Sequence, residues 1–113
     1  MLLASNRLFL EDDAQPWETV GDGVRRKVLT YDSQLMLVRV EFEAGSIGAP
    51  HRHVHTQMTH IVSGIFNVTI DGVMRVLQAG DTFHAPSNMV HGVVCVAEGV
   101  LLDAFSPMRE DFV

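Results

Sequence analysis

Residues 51–57 read HRHVHTQ, three histidines and a glutamine on alternate positions. Alternation is the strand period, so in an extended chain His51, His53, His55 and Gln57 point to one side. Imidazoles in file on one face form a metal site, a pH-sensitive surface or a coincidence. A divalent ion binds a neutral imidazole nitrogen at roughly 2.0–2.1 Å, and residues i and i+2 of a strand bring two rings to one ion. His51 and His53 therefore make a credible pair. A straight strand from 51 to 57 spans about 20 Å at ~3.3 Å per residue, too far for all four to share that ion. Either the chain bends after His53 and carries Gln57 round, or Gln57 is not a ligand.

A second histidine-bearing turn stands further along, in PSNMVHG, residues 86–92. Pro86 and Asn88 make the turn and His91 opens the segment after it. In a small barrel that segment can lie against His51 and His53 and supply another ligand. Alone, His91 reads as a strand-edge residue; two such turns, each at the mouth of a strand, favour the metal. Of the other histidines, His55 is read as a supporting or solvated ring. His60 shares parity with Met58 and Val62 and is expected to face the barrel interior as a polar wall. His84 is expected on the surface of a turn.

The rest of the chain is all-β in character. Glycine and proline recur at short intervals, and no long segment shows an apolar 3.6-residue period. In LMLVRVEFEAG, Met36, Val38, Val40 and Phe42 share a face opposite Arg39, Glu41 and Glu43. In GIFNVTIDGVMRVLQAGD, Phe66, Val68 and Ile70 alternate with polar residues up to Asp71-Gly72, a two-residue hairpin turn, and Met74 and Val76 carry the return strand. HGVVCVAEGVLLDAF, residues 91–105, is expected to form two strands turned at Glu98-Gly99. The terminal MREDFV is expected to close in a short helical turn. Met36 and Trp17 read as core or dimer-interface residues.

The 113 residues make one domain, 1–113, with a hydrophobic fraction of 47%. The net charge of −6 argues against a nucleic-acid backbone as partner. A single cysteine, Cys95, cannot form an internal disulfide. The opening MLLASNRLFLEDD lacks a basic region and an unbroken apolar run, so we expect neither a signal peptide nor a membrane span, and a cytoplasmic location.

The two histidine turns together resemble the cupin signature. The first cupin motif, G-x5-H-x-H-x3,4-E-x6-G, is matched in spacing by Gly45, His51, His53, Gln57 and Gly64, with Gln57 in place of glutamate. The second, G-x5-P-x-G-x2-H-x3-N, is matched by Gly80, Pro86 and His91, with Asn88 for the glycine and Cys95 for the asparagine. The motif core covers roughly residues 45–95. It implies a single-domain cupin: a double-stranded β-helix, or jelly-roll barrel, with a metal inside. Beyond the motifs, PWETVGDGVRRKVLTYDSQLMLVRVEFEAG, HRHVHTQ and above all LLDAFSPMREDFV are similar to the KdgF-type cupins of pectin degradation. That resemblance implies ring opening of 4,5-unsaturated uronate monosaccharides, released from pectin or alginate by lyases, to linear keto-acids. It implies His51, His53, Gln57 and His91 as metal ligands, and Asp103, Phe105 and Arg109 as the residues on the substrate side. Thr56 stands where the family usually carries an acid, and His60 where it usually carries a tyrosine.

The implied chemistry is self-consistent. Three imidazoles and an amide oxygen leave a divalent ion its full charge, which strengthens a Lewis-acid role. Zn, Ni, Fe, Mn and Co all accept such a donor set. Arg109 offers a planar fork for the substrate carboxylate. Asp103 shares parity with Leu101 and Phe105, and as an interior carboxyl it would move protons while Phe105 walls the sugar ring. Without the resemblance, Asp103 reads as a salt bridge to Arg109 or Arg25, Phe105 as core, and Arg109 as surface. In VRRK, either Arg26 or the pair Arg25 and Lys27 faces the pocket and draws in an anionic sugar. A sugar-binding module without turnover and an iron-dependent oxygenase are the alternatives. A homodimer is expected from barrel faces and strand edges.

Overall fold

Two strands are too long for the molecule to hold straight. In the computed structural model, which describes residues 8–113, β5 runs over Thr56–Ile70 and β8 over His91–Ser106. At ~3.3 Å per residue, the 16 residues of β8 would reach about 50 Å, whereas the longest extent of the molecule is 38 Å. Both strands must therefore coil. They pair with each other antiparallel along nearly their whole length and change neighbours halfway. The first half of β5 pairs with β7 (Thr82–Ala85) and its second half with β6 (Val73–Gln78). The second half of β8 pairs with β3 (Met36–Phe42) and its first half with β4 (Ile47–His51). β1 (Glu18–Gly21) and β2 (Val24–Tyr31) extend the sheet beyond β3. Two sheets thus share their central strands and face each other, the jelly-roll arrangement.

The change of partner occurs where two backbones nearly touch. Gly64 and Gly99 lie against each other: a Cβ on Gly64 would sit 2.6 Å from the Gly99 Cα, and one on Gly99 would collide with the Ser63 carbonyl oxygen. Gly64 also holds φ at +88°. No side chain fits at either position, and the register between β5 and β8 slips here. The sequence expectation of two strands turned at Glu98-Gly99 is therefore corrected. Gly99 permits a close crossing and a bend, and the chain continues as one strand. The Asp71-Gly72 turn does form, with φ of 50° and 81° at its two residues, as a tight hairpin with right-twisted strands requires.

The slip also reverses which residues point inward on β5. Before it, Gln57, Thr59 and Ile61 are buried; after it, Phe66 and Val68 are. His60 consequently faces outward with Met58 and Val62, its Nδ1 near the Thr82 hydroxyl at 3.1 Å, and does not face the barrel interior. His84 is exposed as expected, though on strand β7 rather than in a turn.

One apolar cluster, including Phe42, Ile61, Phe66, Val68, Cys95 and Leu101, fills the interior between the sheets. A second, of Tyr31, Met36, Val38 and Phe105, lies under the C-terminal residues Met108 and Phe112. Met36 is wholly buried, so it is core and not interface. The strand β6 exposes nearly all its side chains, including Met74 and Val76. The terminal segment forms a 3-10 turn over Glu110–Phe112, as expected. Among the described residues no helix is long and apolar enough to cross a membrane. Residues 1–7 of the opening stretch lie outside the described residues.

Candidate metal centre

β4 ends at His51, and the chain then bends through residues 52–55 before β5 begins at Thr56. This is the bend considered from sequence, and it carries Gln57 back beside His53. His51 and His91 are direct cross-strand partners, with ring centroids 4.5 Å apart. The turn before His91 is held by Asn88, which takes a positive φ of 63° and donates its amide to the His53 carbonyl at 2.7 Å. A ligand nitrogen from each of His51, His53 and His91 falls within 4.8 Å of the others.

Each of the three imidazoles is anchored the same way. Nδ1 lies 2.9 Å from the Ala49 carbonyl in His51, 3.0 Å from the His55 carbonyl in His53, and 2.9 Å from the Met89 carbonyl in His91. A carbonyl only accepts, so each Nδ1 carries the proton and each Nε2 presents a lone pair. His55 thus contributes its carbonyl to the site, while its ring is a neighbour only, 5.3 Å from that of His53. Burial lowers the pKa of both His53 and His91 below the ordinary imidazole value, which favours the neutral form that metals require.

The Gln57 side chain is buried and its Oε1 lies 3.0 Å from His53 Nε2 and 3.1 Å from His91 Nε2. With neutral Nδ1–H rings, three acceptors then face one another with no proton between them. A cation removes that conflict. Two ligands held at right angles roughly 2.1 Å from one ion are themselves about 3.0 Å apart, so the spacing fits a metal as well as the donor types do. Three nitrogens and an amide oxygen suit a divalent transition ion.

Behind Gln57 lies a second polar layer. The Gln57 amide nitrogen donates to the Thr59 hydroxyl at 2.9 Å, and that hydroxyl donates to the Asp103 carboxyl at 2.6 Å. Gln57 Nε2 also reaches Asp103 at 3.5 Å. Burial pushes the Asp103 carboxyl up to about 6, against the opposing hydrogen bond from Thr59 and the nearby charge of Arg109. Among the described residues Asp103 forms no ion pair. Arg25 pairs with Glu41 at 2.7 Å and Arg109 with Asp111 at 2.8 Å, so the salt bridge considered from sequence does not form. Sequence reading gave Thr59 no role. Its only signal was an inward parity shared with Gln57.

Phe105 belongs to the core and to the site at once, with its ring centroid 5.8 Å from that of His53. On its other side it meets Phe112 edge-on at 5.6 Å. The Arg109 guanidinium stands 5.1 Å from the Phe105 ring and 4.2 Å from that of Phe112. Its Nε and Nη2 grip both oxygens of Asp111, at 3.0 and 2.8 Å. Arg26 also covers Phe112, at 3.6 Å, whereas Arg25 and Lys27 stack on Trp17 at 3.9 and 4.3 Å. Of the two choices left open for VRRK, Arg26 is the one on the side of Phe105 and Phe112. A surface groove of about 770 Å3 lies elsewhere, lined by Val24, Arg25, Glu41, Phe42, Glu43 and Glu98 among others, and none of His51, His53, Gln57, His91, Asp103, Phe105 or Arg109 lines it.

The cupin domain model matches residues 38–105. The pectin degradation protein KdgF of Dickeya dadantii is 47% identical over 108 residues, which cover 94% of this chain and 98% of that protein. An RmlC-like cupin from Shewanella frigidimarina superposes with a TM-score of 0.92 at 42% identity, covering 95% of this chain and 96% of its own. The structure of KdgF from Halomonas sp. superposes with a TM-score of 0.89 at 36% identity, over 93% and 97% of the two chains.

Proposed function

The chain belongs to the cupin family, in the branch that includes the pectin degradation protein KdgF, and on that premise we propose that it opens the ring of 4,5-unsaturated uronate monosaccharides. The observation that carries this reading is the joining of three features in one mouth. Acceptors poised for a cation stand beside a buried carboxyl, and an arginine fork lies next to both. His51, His53, Gln57 and His91 would hold a divalent ion, drawn from Zn, Ni, Fe, Mn and Co. Such an ion, when bound, supplies a Lewis acid for substrate oxygen.

The protein's own groups do the rest. Arg109 takes the substrate carboxylate; its two-point grip on Asp111 is the geometry that a carboxylate guest needs. Phe105 lies against the sugar ring and keeps water from it. Asp103 accepts the proton of the anomeric hydroxyl. The bond from C1 to the ring oxygen then breaks, its electron pair passing to that oxygen, and the resulting enolate takes a proton at C4 to become the ketone. The reaction is an isomerisation: one proton moves from oxygen to carbon and no redox partner is needed. A carboxyl with pKa about 6 suits both halves of such a transfer near neutral pH.

The proposal extends to a cytoplasmic homodimer. The outward face bearing Met58 and Val62, which are 52% and 46% exposed, supports pairing of two copies. Metal-loaded protein mixed with the product of a pectate or alginate lyase should accelerate loss of the absorbance of the conjugated double bond. Tight binding of that product without turnover would replace the enzyme with a sugar-binding module.

A further inference from the structure

Gln57 carries a difficulty that a glutamate at the same place would not have. A carboxylate shows the same face whichever way it turns, whereas an amide turned over would aim its NH2 at the ion. Something must fix its polarity, and the histidines cannot, because their Nε2 lone pairs would accept from the NH2 equally well.

We infer that Thr59 is the positioning residue that orients the Gln57 amide with its oxygen toward the metal. The Thr59 side chain is completely buried and its hydroxyl has two neighbours. Its one proton goes to Asp103 at 2.6 Å, a distance characteristic of a hydroxyl donating to a carboxylate. The hydroxyl can then only accept from Gln57, so the group at 2.9 Å must be the NH2 and Oε1 must point at His53 and His91. The direction is set by Asp103, passed on by Thr59 and delivered by Gln57. The carboxylate at the far end also draws the amide protons toward itself, which makes Oε1 a better donor to a cation. Thr59 touches neither metal nor substrate in this scheme.

The inference rests on the metal reading proposed above, and metal binding tests it without any sugar. Titration of metal-free protein with Zn or Ni, followed by calorimetry, gives the affinity. Thr59→Val keeps the shape and removes the hydroxyl; it should weaken binding by roughly 10- to 100-fold, the range typical for groups that orient a metal ligand. Thr59→Ser should restore binding to within about threefold. The decisive variant is Gln57→Glu, whose carboxylate has no polarity to set. In that background Thr59→Val should change metal affinity by less than about threefold, whereas a merely structural threonine would show the same loss in both backgrounds. Equal losses, or none in the native background, overturn the role of Thr59. Failure of the unaltered protein to bind either metal overturns the metal reading instead. Circular dichroism melting verifies that each variant is folded.

Discussion

The two halves of β5 alternate with the same period but in opposite phase, and the start of the strand buries polar side chains where its end buries apolar ones. Beyond Gly64 the inward residues are Phe66 and Val68, packed among aromatic and aliphatic neighbours. Before it they are Gln57 and Thr59, followed by the apolar Ile61, all buried; Asp103 pairs with Thr59 on β8, and the imidazole of His91, whose backbone pairs with Ile70, reaches Gln57 Oε1. The apolar half gains its stability from area removed from water. The polar half must satisfy each group individually, and it does so by hydrogen bonds from Gln57 through Thr59 to Asp103. Burial therefore does not distinguish core from site in this barrel. What distinguishes them is whether the interior atoms have any chemistry left to offer.

Exchanging damage between the halves tests that contrast. The largest effect is expected from His91→Ala, which should weaken metal binding by at least about a hundredfold, beyond what outer partners contribute, and reduce ring opening to background. Metal analysis after dialysis and the absorbance assay read both. Phe66→Ala in the other half should cost about 3–5 kcal/mol by denaturant unfolding and leave metal affinity within a few-fold. If Phe66→Ala lowered metal affinity as much as His91→Ala, the two halves would be one cooperative unit and the contrast would fail.

A subtler test uses pH. The folded carboxyl of Asp103 sits at about 6, above the ordinary 3.8, so folding favours its protonated form. That contribution is present below pH about 4 and is lost as pH rises through 6. In chelator-treated protein, Asp103→Asn should therefore gain on the native chain by up to about 3 kcal/mol between pH 4 and 7, measured by urea unfolding. Parallel stability curves would mean that the polar half is wetter than its burial indicates. The smallest effect is expected from Arg109→Lys at the rim. It keeps the charge and loses the fork, and should raise KM roughly tenfold with metal content unchanged. An equal fall in kcat would place Arg109 in the proton chemistry.

Much of this was legible in the residues. The spacing of Gly45, His51, His53, Gln57 and Gly64, with Pro86 and His91, carried the resemblance that implied the barrel, and the structure brings the three histidines of that pattern together. Asp71-Gly72 fixed a hairpin, because its two residues must both take positive φ. His60 and the expected turn at Glu98-Gly99 misled for a shared reason. A period-2 reading assumes an unbroken phase, and the register slips where Gly64 meets Gly99. Each glycine alone reads as a turn residue. Only the pairing of two strands distant in sequence reveals them as a crossing. Thr59 was silent because its meaning depends on Asp103, 44 residues away in the chain.

The three backbone carbonyls that hold the histidine rings are supplied by local chain geometry. On the proposed metal reading, polypeptide assembly and ion capture would then be separate events: a newly made chain would ripen into its final shape before a cation arrives, and a stripped molecule would be recharged without unfolding.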